Sequence, residues 1–230
     1  MKLPSLFKPG AITLLLMSGY GHATGVVPET SVVIVDQGDG EGVINLKNTD
    51  TFPVLLLTTL INIPGEADIQ LSITPPAARV EPGKSQSVRF ILANSEPLKT
   101  EHLKRVVFEG VPPQQKDKNK VRMTVRQNLP VLIRPAGLAK NTAPWKLLVW
   151  KMSADGLQVS NPSPYVVRLS QNIQTLPDNT QWTLPEAYVL PGQNLTLEAQ
   201  KKPVAASQVR ISPATTWGYS VDSYNAPLTQ

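Results

Sequence analysis

Residues 69–92 read IQLSITPPAARVEPGKSQSVRFIL, and this stretch decides the fold class. Ile69, Leu71 and Ile73 alternate with Gln70 and Ser72, the period of a strand with one buried face. Thr74-Pro-Pro76 breaks the run, because proline has no backbone N–H to give to a ladder. Arg79-Val80 leads into Glu81-Pro-Gly83, a turn by composition: Pro presets the first dihedral and Gly accepts a left-handed backbone. Residues 87–92 are then a second strand. Strand, break, turn and strand follow one another with no space for a helix.

The same pattern extends outward. Toward the N-terminus, 54–61 is apolar on both faces and reads as a central strand covered on both sides. Strands at 31–35 and 43–47 precede it, parted by the turn-rich segment 36–42. Toward the C-terminus, 103–108 is a strand closed by Gly110-Val-Pro-Pro113. A charged loop follows. Then 121–125, running on to Leu129, alternates again, with Val121, Met123 and Val125 on one face and Arg122, Thr124 and Arg126 on the other. Arg134-Pro-Ala-Gly137 reads as a linker, after which strand-length segments restart at 145–151, 156–159, 164–169, 187–190, 195–199, 209–211 and 217–221. Nothing holds a helical period over three turns, and 22 prolines disfavour long helices. Short strands at this spacing predict an all-β chain of two sandwich domains. No internal repeat is strong enough to read as duplication.

The first residues are not part of that fold. Lys2 and Lys8 give a basic start, 11–17 is apolar, and Gly21-His22-Ala23 puts small residues where a signal peptidase reads. We read a signal peptide over 1–23, a first domain over 24–135 and a second over 136–230. The apolar run is too short for a bilayer core of about 30 Å, and no later segment is long and apolar enough. The expectation is an exported chain with no membrane insertion. Of 22 basic and 17 acidic residues, only Lys2 and Lys8 leave with the signal, so the mature chain is mildly basic. The densest basic run, Lys116 to Arg126, is either a solvated loop and strand or a surface for an anionic partner. Such mild charge does not suggest nucleic acid. The chain has no cysteine, so its cores alone must hold it.

Several chemistries are excluded by what is missing. Only His102 remains after the signal, beside Glu101 in a strand, where a solvent-facing ring is expected. No Gly-x-Ser-x-Gly elbow accompanies it. One His and no Cys do not make a zinc site. Asp36, Asp39 and Glu41 lie in a Gly-rich loop without full calcium-loop spacing. No Gly-rich phosphate loop is present. The sequence therefore predicts no enzyme, no metal and no cofactor.

Five segments carry a resemblance. They are Thr74-Pro-Pro-Ala-Ala-Arg-Val-Glu-Pro-Gly83 with Ser87-Val-Arg-Phe90, then Val111-Pro-Pro113, Leu129-Pro-Val-Leu-Ile-Arg-Pro135, its closing Ile133-Arg-Pro135, and Asn161-Pro-Ser-Pro-Tyr165. In order and spacing the mature chain resembles the PapD-like periplasmic pilus chaperones. The resemblance implies two immunoglobulin-like β-sandwich domains set at an angle, with a cleft between them. It implies a periplasmic chaperone that caps pilus (fimbrial) subunits by donor-strand complementation and delivers them to an outer-membrane usher. The donor side chains would be Val121, Met123 and Val125, with Leu129 as a fourth contact. From alternation alone, that face covers the chain's own core as readily as a partner's.

The resemblance also exposes departures. The family anchors a subunit's carboxylate with an Arg on the first strand and a Lys near the end of the donor strand. Val32 and Pro130 stand at those positions, and neither side chain can bind a carboxylate. Arg126 or Arg134 would be a substitute cation if the register shifts. The family's interdomain salt bridge falls on Arg89 and Glu101, with Asp222 as third partner. A self-capping homodimer is compatible with the sequence. The alternative reading is a structural or adhesive β-sandwich of the cell surface, against which stand the short segment 24–30 and the lack of cysteine.

Overall fold

The computed structural model describes residues 25–66, 68–93, 96–113, 124–198 and 206–229. The proposed signal 1–23 lies outside them. Among the described residues, nine strands build the first domain: β1 Val26–Pro28, β2 Val33–Asp36, β3 Glu41–Asn48, β4 Val54–Ile61, β5 Leu71–Thr74, β6 Ala77–Val80, β7 Ser85–Leu92, β8 His102–Val111 and β9 Arg126–Arg134. Hydrogen bonding runs in the order β5-β7-β3-β2-β9-β8-β4-β6, with β1 on β3. β2 is the hinge of the sandwich, since it meets β3 through Asp36–Glu41 and runs parallel to β9 from Val33–Val131 to Asp36–Arg134. Ile44, Leu46, Val88 and Phe90 of β3 and β7 therefore face Leu56, Val106, Phe108, Val131 and Ile133 of β4, β8 and β9 across one core.

The second domain opens with a 3-10 turn, Pro144–Leu147. It continues through β10 Val149–Ser153, β11 Gly156–Ser160, β12 Val167–Arg168, β13 Asn172–Pro177, β14 Gln181–Thr183, β15 Tyr188–Val189, β16 Asn194–Leu197, β17 Ala206–Ile211 and β18 Tyr224–Thr229. One path runs β14-β13-β17-β18-β10-β11-β16, and β12 pairs with β15. Trp150, Leu157, Ile173, Trp182, Val209 and Ile211 fill its core, with Trp182 Nε1 donating to Thr175 Oγ1 at 3.2 Å. Both domains are β-sandwiches, as the alternation predicted.

The structure corrects several local expectations. β4 is not covered on both faces: Leu55 is 44% exposed, because only alternate side chains reach the core. Residues 217–221 do not form the last strand. They lie at a tight turn in which Thr215 N donates to Tyr219 O, Gly218 N to Thr215 O and Tyr219 N to Thr215 Oγ1, and the last strand is β18. β13 and β14 went unread, having few apolar residues between their turns. The strand read as running on to Leu129 continues as β9 to Arg134, which the sequence reading places in the linker.

The two domains also share a corner device. Asn48 Nδ2 donates to the carbonyls of Phe52 and Val80, both at 2.9 Å, while its Oδ1 accepts from Asp50 N. Asn161 Nδ2 donates to the carbonyls of Tyr165 and Val189, and its Oδ1 accepts from Ser163 N. The turn after Val80 and the turn after Val189 are both x-Pro-Gly, with Gly83 and Gly192 at φ +70° and +72°. Gly83 N and Gly192 N each return a bond to the corresponding asparagine carbonyl, at 2.9 and 2.7 Å. Each domain thus locks the same corner with the same device.

The two domains meet over a shared apolar cluster. Val32, Ile63, Leu103 and Leu132 from the first pack with Val166, Tyr188 and Leu190 from the second. Polar links flank it: Glu101 N donates to Pro164 O at 2.8 Å, Val166 N to Glu101 Oε2 at 3.0 Å, and Ser31 Oγ to Trp217 O at 2.7 Å. Among the described residues, no helix is long and apolar enough to cross a membrane.

Candidate functional site: the free edge of β9 and the interdomain cleft

β9 changes neighbours along its length. On one side β8 accompanies all of it, from Glu109–Arg126 to His102–Ile133. On the other side β2 pairs only with Val131 to Arg134. Among the described residues no strand pairs with the other side of Arg126 to Leu129, so this half presents an open strand edge, with backbone N–H and C=O groups available to another strand. Pro130, which has no N–H, stands where that edge ends and the β2 pairing begins.

The side chains of this half alternate. Val125 is 51% exposed; Leu129 is half-buried and leans on the first core. Two residues further along the same face, Val131 and Ile133 are core residues. One face of β9 thus passes from the domain's own interior at Val131 and Ile133 to solvent at Val125. Val121 and Met123 lie outside the described residues. Gln127, between Val125 and Leu129 on this face, donates through Nε2 to Val26 O at 3.2 Å.

The open edge borders a cleft. A cavity of about 380 Å³ is lined by Val27, Ser31, Gln127 and Leu129 of the first domain and by Trp217 and Tyr219 of the second. Trp217 is 49% and Tyr219 71% exposed. The 215–219 turn that carries them is held by Gly218 at φ +82°, a conformation other residues adopt at a cost.

The positions expected to hold cations do not. Val32 is buried in the interdomain cluster, where an apolar side chain serves packing between domains. Pro130 is buried opposite Arg105 of β8. Arg126 is not a cleft cation: its Nε donates to Glu109 Oε2 at 2.8 Å across the β8–β9 ladder, with most of the side chain in solvent. Nor is Arg134 free. It is largely buried, with Nε 3.5 Å from Glu101 Oε1 and Nη1 3.6 Å from Asp36 Oδ1.

Arg134 thereby corrects the expected salt bridge. Arg89 is not in it, since its guanidinium pairs with Glu41 across β3 and β7 on the surface. Asp222 is exposed ahead of β18. Glu101 is the member that both the sequence and the geometry place here. Burial is the main influence on its carboxyl and raises its pKa from 4.5, a repulsion from Asp36 adding to it; Val166 N–H and Arg134 pull the other way. His102 is likewise not a free surface ring: Nδ1 lies 2.7 Å from Oε2 of the buried Glu66. Lys104, also buried, ties the same loop by donating to Asn62 Oδ1 and Glu66 O at 2.6 and 2.8 Å.

Two arginines that the sequence reading did not single out lie near the domain boundary: burial first, and then the charge of Arg105, lowers the proton affinity of Arg168. Arg105 sits beside Pro130 in register and donates from Nε to Asn128 Oδ1 at 2.7 Å and from Nη2 to Asn128 O at 2.8 Å. Arg168 of β12 comes from the second domain, its Nη1 near Thr216 O at 3.5 Å. A side chain on Gly218 would touch both the Arg168 guanidinium and Ser31 Oγ, which places Arg168 against the first domain. The signal that could have pointed to Arg105 is the strand pairing: counting back from the shared turn puts it opposite Pro130.

Comparison with known proteins agrees with this architecture. Residues 25–139 match the N-terminal domain of PapD, a pili and flagellar-assembly chaperone, and residues 143–224 match the C-terminal domain of the pili assembly chaperone PapD. The uncharacterized fimbrial chaperone YhcA of Escherichia coli is 43% identical over 207 residues, covering 90% of this chain and 92% of the relative. The chaperone FimB/FhaD of Bordetella pertussis is 28% identical over 177 residues, covering 70% and 72%. In fold, the chain is similar to the Salmonella enterica SafA pilin–SafB chaperone complex, with a TM-score of 0.72 at 20% identity over 90% of this chain and 98% of that one. With both domains matched and a relative so similar over nearly its whole length, the chain belongs to the PapD family of pilus-assembly chaperones.

Proposed function

We propose that the chain is a periplasmic chaperone that completes the unfinished sandwich of a pilus subunit with its own β9. The observation that carries this reading is the edge of β9 left open at Arg126 to Leu129, with Val125 exposed at its start. A client strand laid along that edge would take up its backbone groups. Val121, Met123 and Val125, with Leu129, would fill a groove in the client, each burial contributing roughly 1.5–3 kcal/mol. On the same reading, residues 1–23 are a cleaved signal that sends the chain to the periplasm, followed by domains at 24–135 and 136–230. An outer-membrane usher receives the loaded complex. Without a client, the open edge suits a self-capping homodimer. The family is one of chaperones, and no catalytic step is assigned.

The test is co-purification from the periplasm with each candidate subunit of the same cell, comparing wild type with Met123→Asp. The expected result is one-to-one retention by wild type and loss by the folded variant. Equal retention by both would move the docking face away from this strand.

A further inference from the structure

We infer that Trp217 and Tyr219 are the second domain's anchors for the client, an aromatic pair that receives an apolar side chain where the docked strand leaves β9. The inference rests on a pilus subunit docking at the open edge of that strand. The two rings and the open half of β9 line one cavity, of about 380 Å³, with Gln127 and Leu129 on the first-domain side. Both rings are exposed. Of the chain's four tryptophans, the other three, Trp145, Trp150 and Trp182, are buried in the second core. An indole and a phenol ring side by side in water are what docking surfaces use as anchors, since each offers a large apolar area at little cost in side-chain freedom. The position of the cavity says which part of the client reaches it. From Val131 onward β2 occupies the edge of β9, so a strand docked at 126–129 has to depart there. Leu129 stands at that point and forms part of the cavity wall, so the departing segment passes between Leu129 and the two rings.

The walls decide the chemistry of the occupant. Polar side chains on the first-domain wall already bond within the chain. Glu29 accepts from Asn45 N and Asn45 Nδ2, Thr30 Oγ1 donates to Val32 O, and Gln127 Nε2 donates to Val26 O. What the cavity offers a partner is the apolar surface of Val27, Leu129 and the two rings, which suits an aliphatic or aromatic side chain rather than a charged one. The turn that carries the rings is set before any partner arrives. Ser31 Oγ donates to Trp217 O at 2.7 Å and seats the turn on the first domain, while Thr215 N closes it on Tyr219 O at 2.8 Å. Docking therefore orders no loop on this side. Because the rings and β9 belong to different domains, one client held by both fixes the domains in one arrangement.

The test has two arms, both on the full chain. In the first, fluorine spectra of the chain labelled with 5-fluorotryptophan are recorded free and in complex with a co-purified subunit. The Trp217 signal is the one absent from Trp217→Phe, and its displacement between H2O and D2O reads solvent contact. The expected result is that this displacement is lost on complex formation, while the signals of the buried Trp150 and Trp182 show none in either state. An unchanged displacement at Trp217 in a formed complex overturns the inference. In the second arm, the same subunit is captured by wild type, Trp217→Ala, the Trp217→Ala/Tyr219→Ala double variant, Trp217→Phe and Val125→Asp, with the unfolding midpoint of each measured. Trp217→Ala is expected to weaken retention about tenfold or more at a little-changed midpoint, with Trp217→Phe restoring most of it. Full retention by the double variant, with loss in Val125→Asp, overturns the inference and leaves the β9 reading intact. Loss in the double variant with full retention by Val125→Asp overturns the β9 reading on which the inference rests. A lowered midpoint that accounts for the lost retention marks a packing role and also overturns it.

Discussion

Asn48 and Asn161 each bring one carboxamide to a corner where it bonds two carbonyls and an amide. Removing such a side chain takes three hydrogen bonds from a largely buried corner. Asn161→Ala is expected to destabilise the second domain by about 2–3 kcal/mol, read by denaturant unfolding, with Asn48→Ala doing the same to the first. The repeat was written in the sequence, as Asn48 with Val80-x-Pro-Gly83 and Asn161 with Val189-x-Pro-Gly192. It went unread because the two halves of each motif are far apart, and only folding shows that they touch. Arg89 and Arg134 teach the converse. A surface arginine on β7 was assigned to the interdomain bridge on the strength of resemblance, yet the distance to Glu101 depends on how strands cross between layers. Local pattern does not carry that information.

At the scale of the element, β9 is two strands in one. Its second half is core, paired on both sides; its first half has one open edge. The division yields a prediction that separates stability from docking. Val125→Asp touches an exposed position and should leave unfolding within about 0.5 kcal/mol of wild type while lowering subunit retention, whereas Leu129→Asp, which leans on the core, should lower both. Unfolding midpoints and co-purification on the same samples check this. The period-2 pattern made β9, β3, β7 and β8 legible, because one face of each is buried. It misread β4, whose run of leucines masks an ordinary alternation, and it missed β13 and β14, whose strand pairing comes from neighbours rather than from their own composition. β3 also carries Gly42, where a side chain would collide with Ile34 O of β2. Gly42→Val is expected to open the hinge of the sandwich and cost about 1–3 kcal/mol in unfolding.

For the whole molecule, the decisive contact is the one between domains. Val32 shows its logic: the position where the resemblance led one to expect a cation serves as apolar packing against Val166, Tyr188 and Leu190. Leu103→Ala, deep in that cluster, should cost about 2–5 kcal/mol and widen the distribution of interdomain angles seen by small-angle scattering. Glu101 makes the same contact depend on pH. Its folded pKa lies above the unfolded value of 4.5, chiefly because burial disfavours the charge. Folding therefore favours the proton, and the stability that this group contributes is present under acid and lost as pH rises through the folded value. Relative to Glu101→Gln, which keeps an acceptor for Val166 N–H and does not titrate, wild type should gain stability as pH falls from neutrality toward 4.5. Paired denaturant titrations across that interval check the sign. The domain pairing was legible from motif order along the chain, but the cleft was not, since Gln127 and Leu129 line it with Trp217 and Tyr219 only once both domains are in place.

The central claim is that a pilus subunit docks on the open half of β9. Amide hydrogen exchange of the chain, free and saturated with a co-purified subunit, tests it most directly. The account expects slowed exchange at the amides of residues 126–129, where β2 does not reach, with little change at 131–134, which are already paired. Unchanged exchange at 126–129, with protection arising instead elsewhere on the surface, would contradict it.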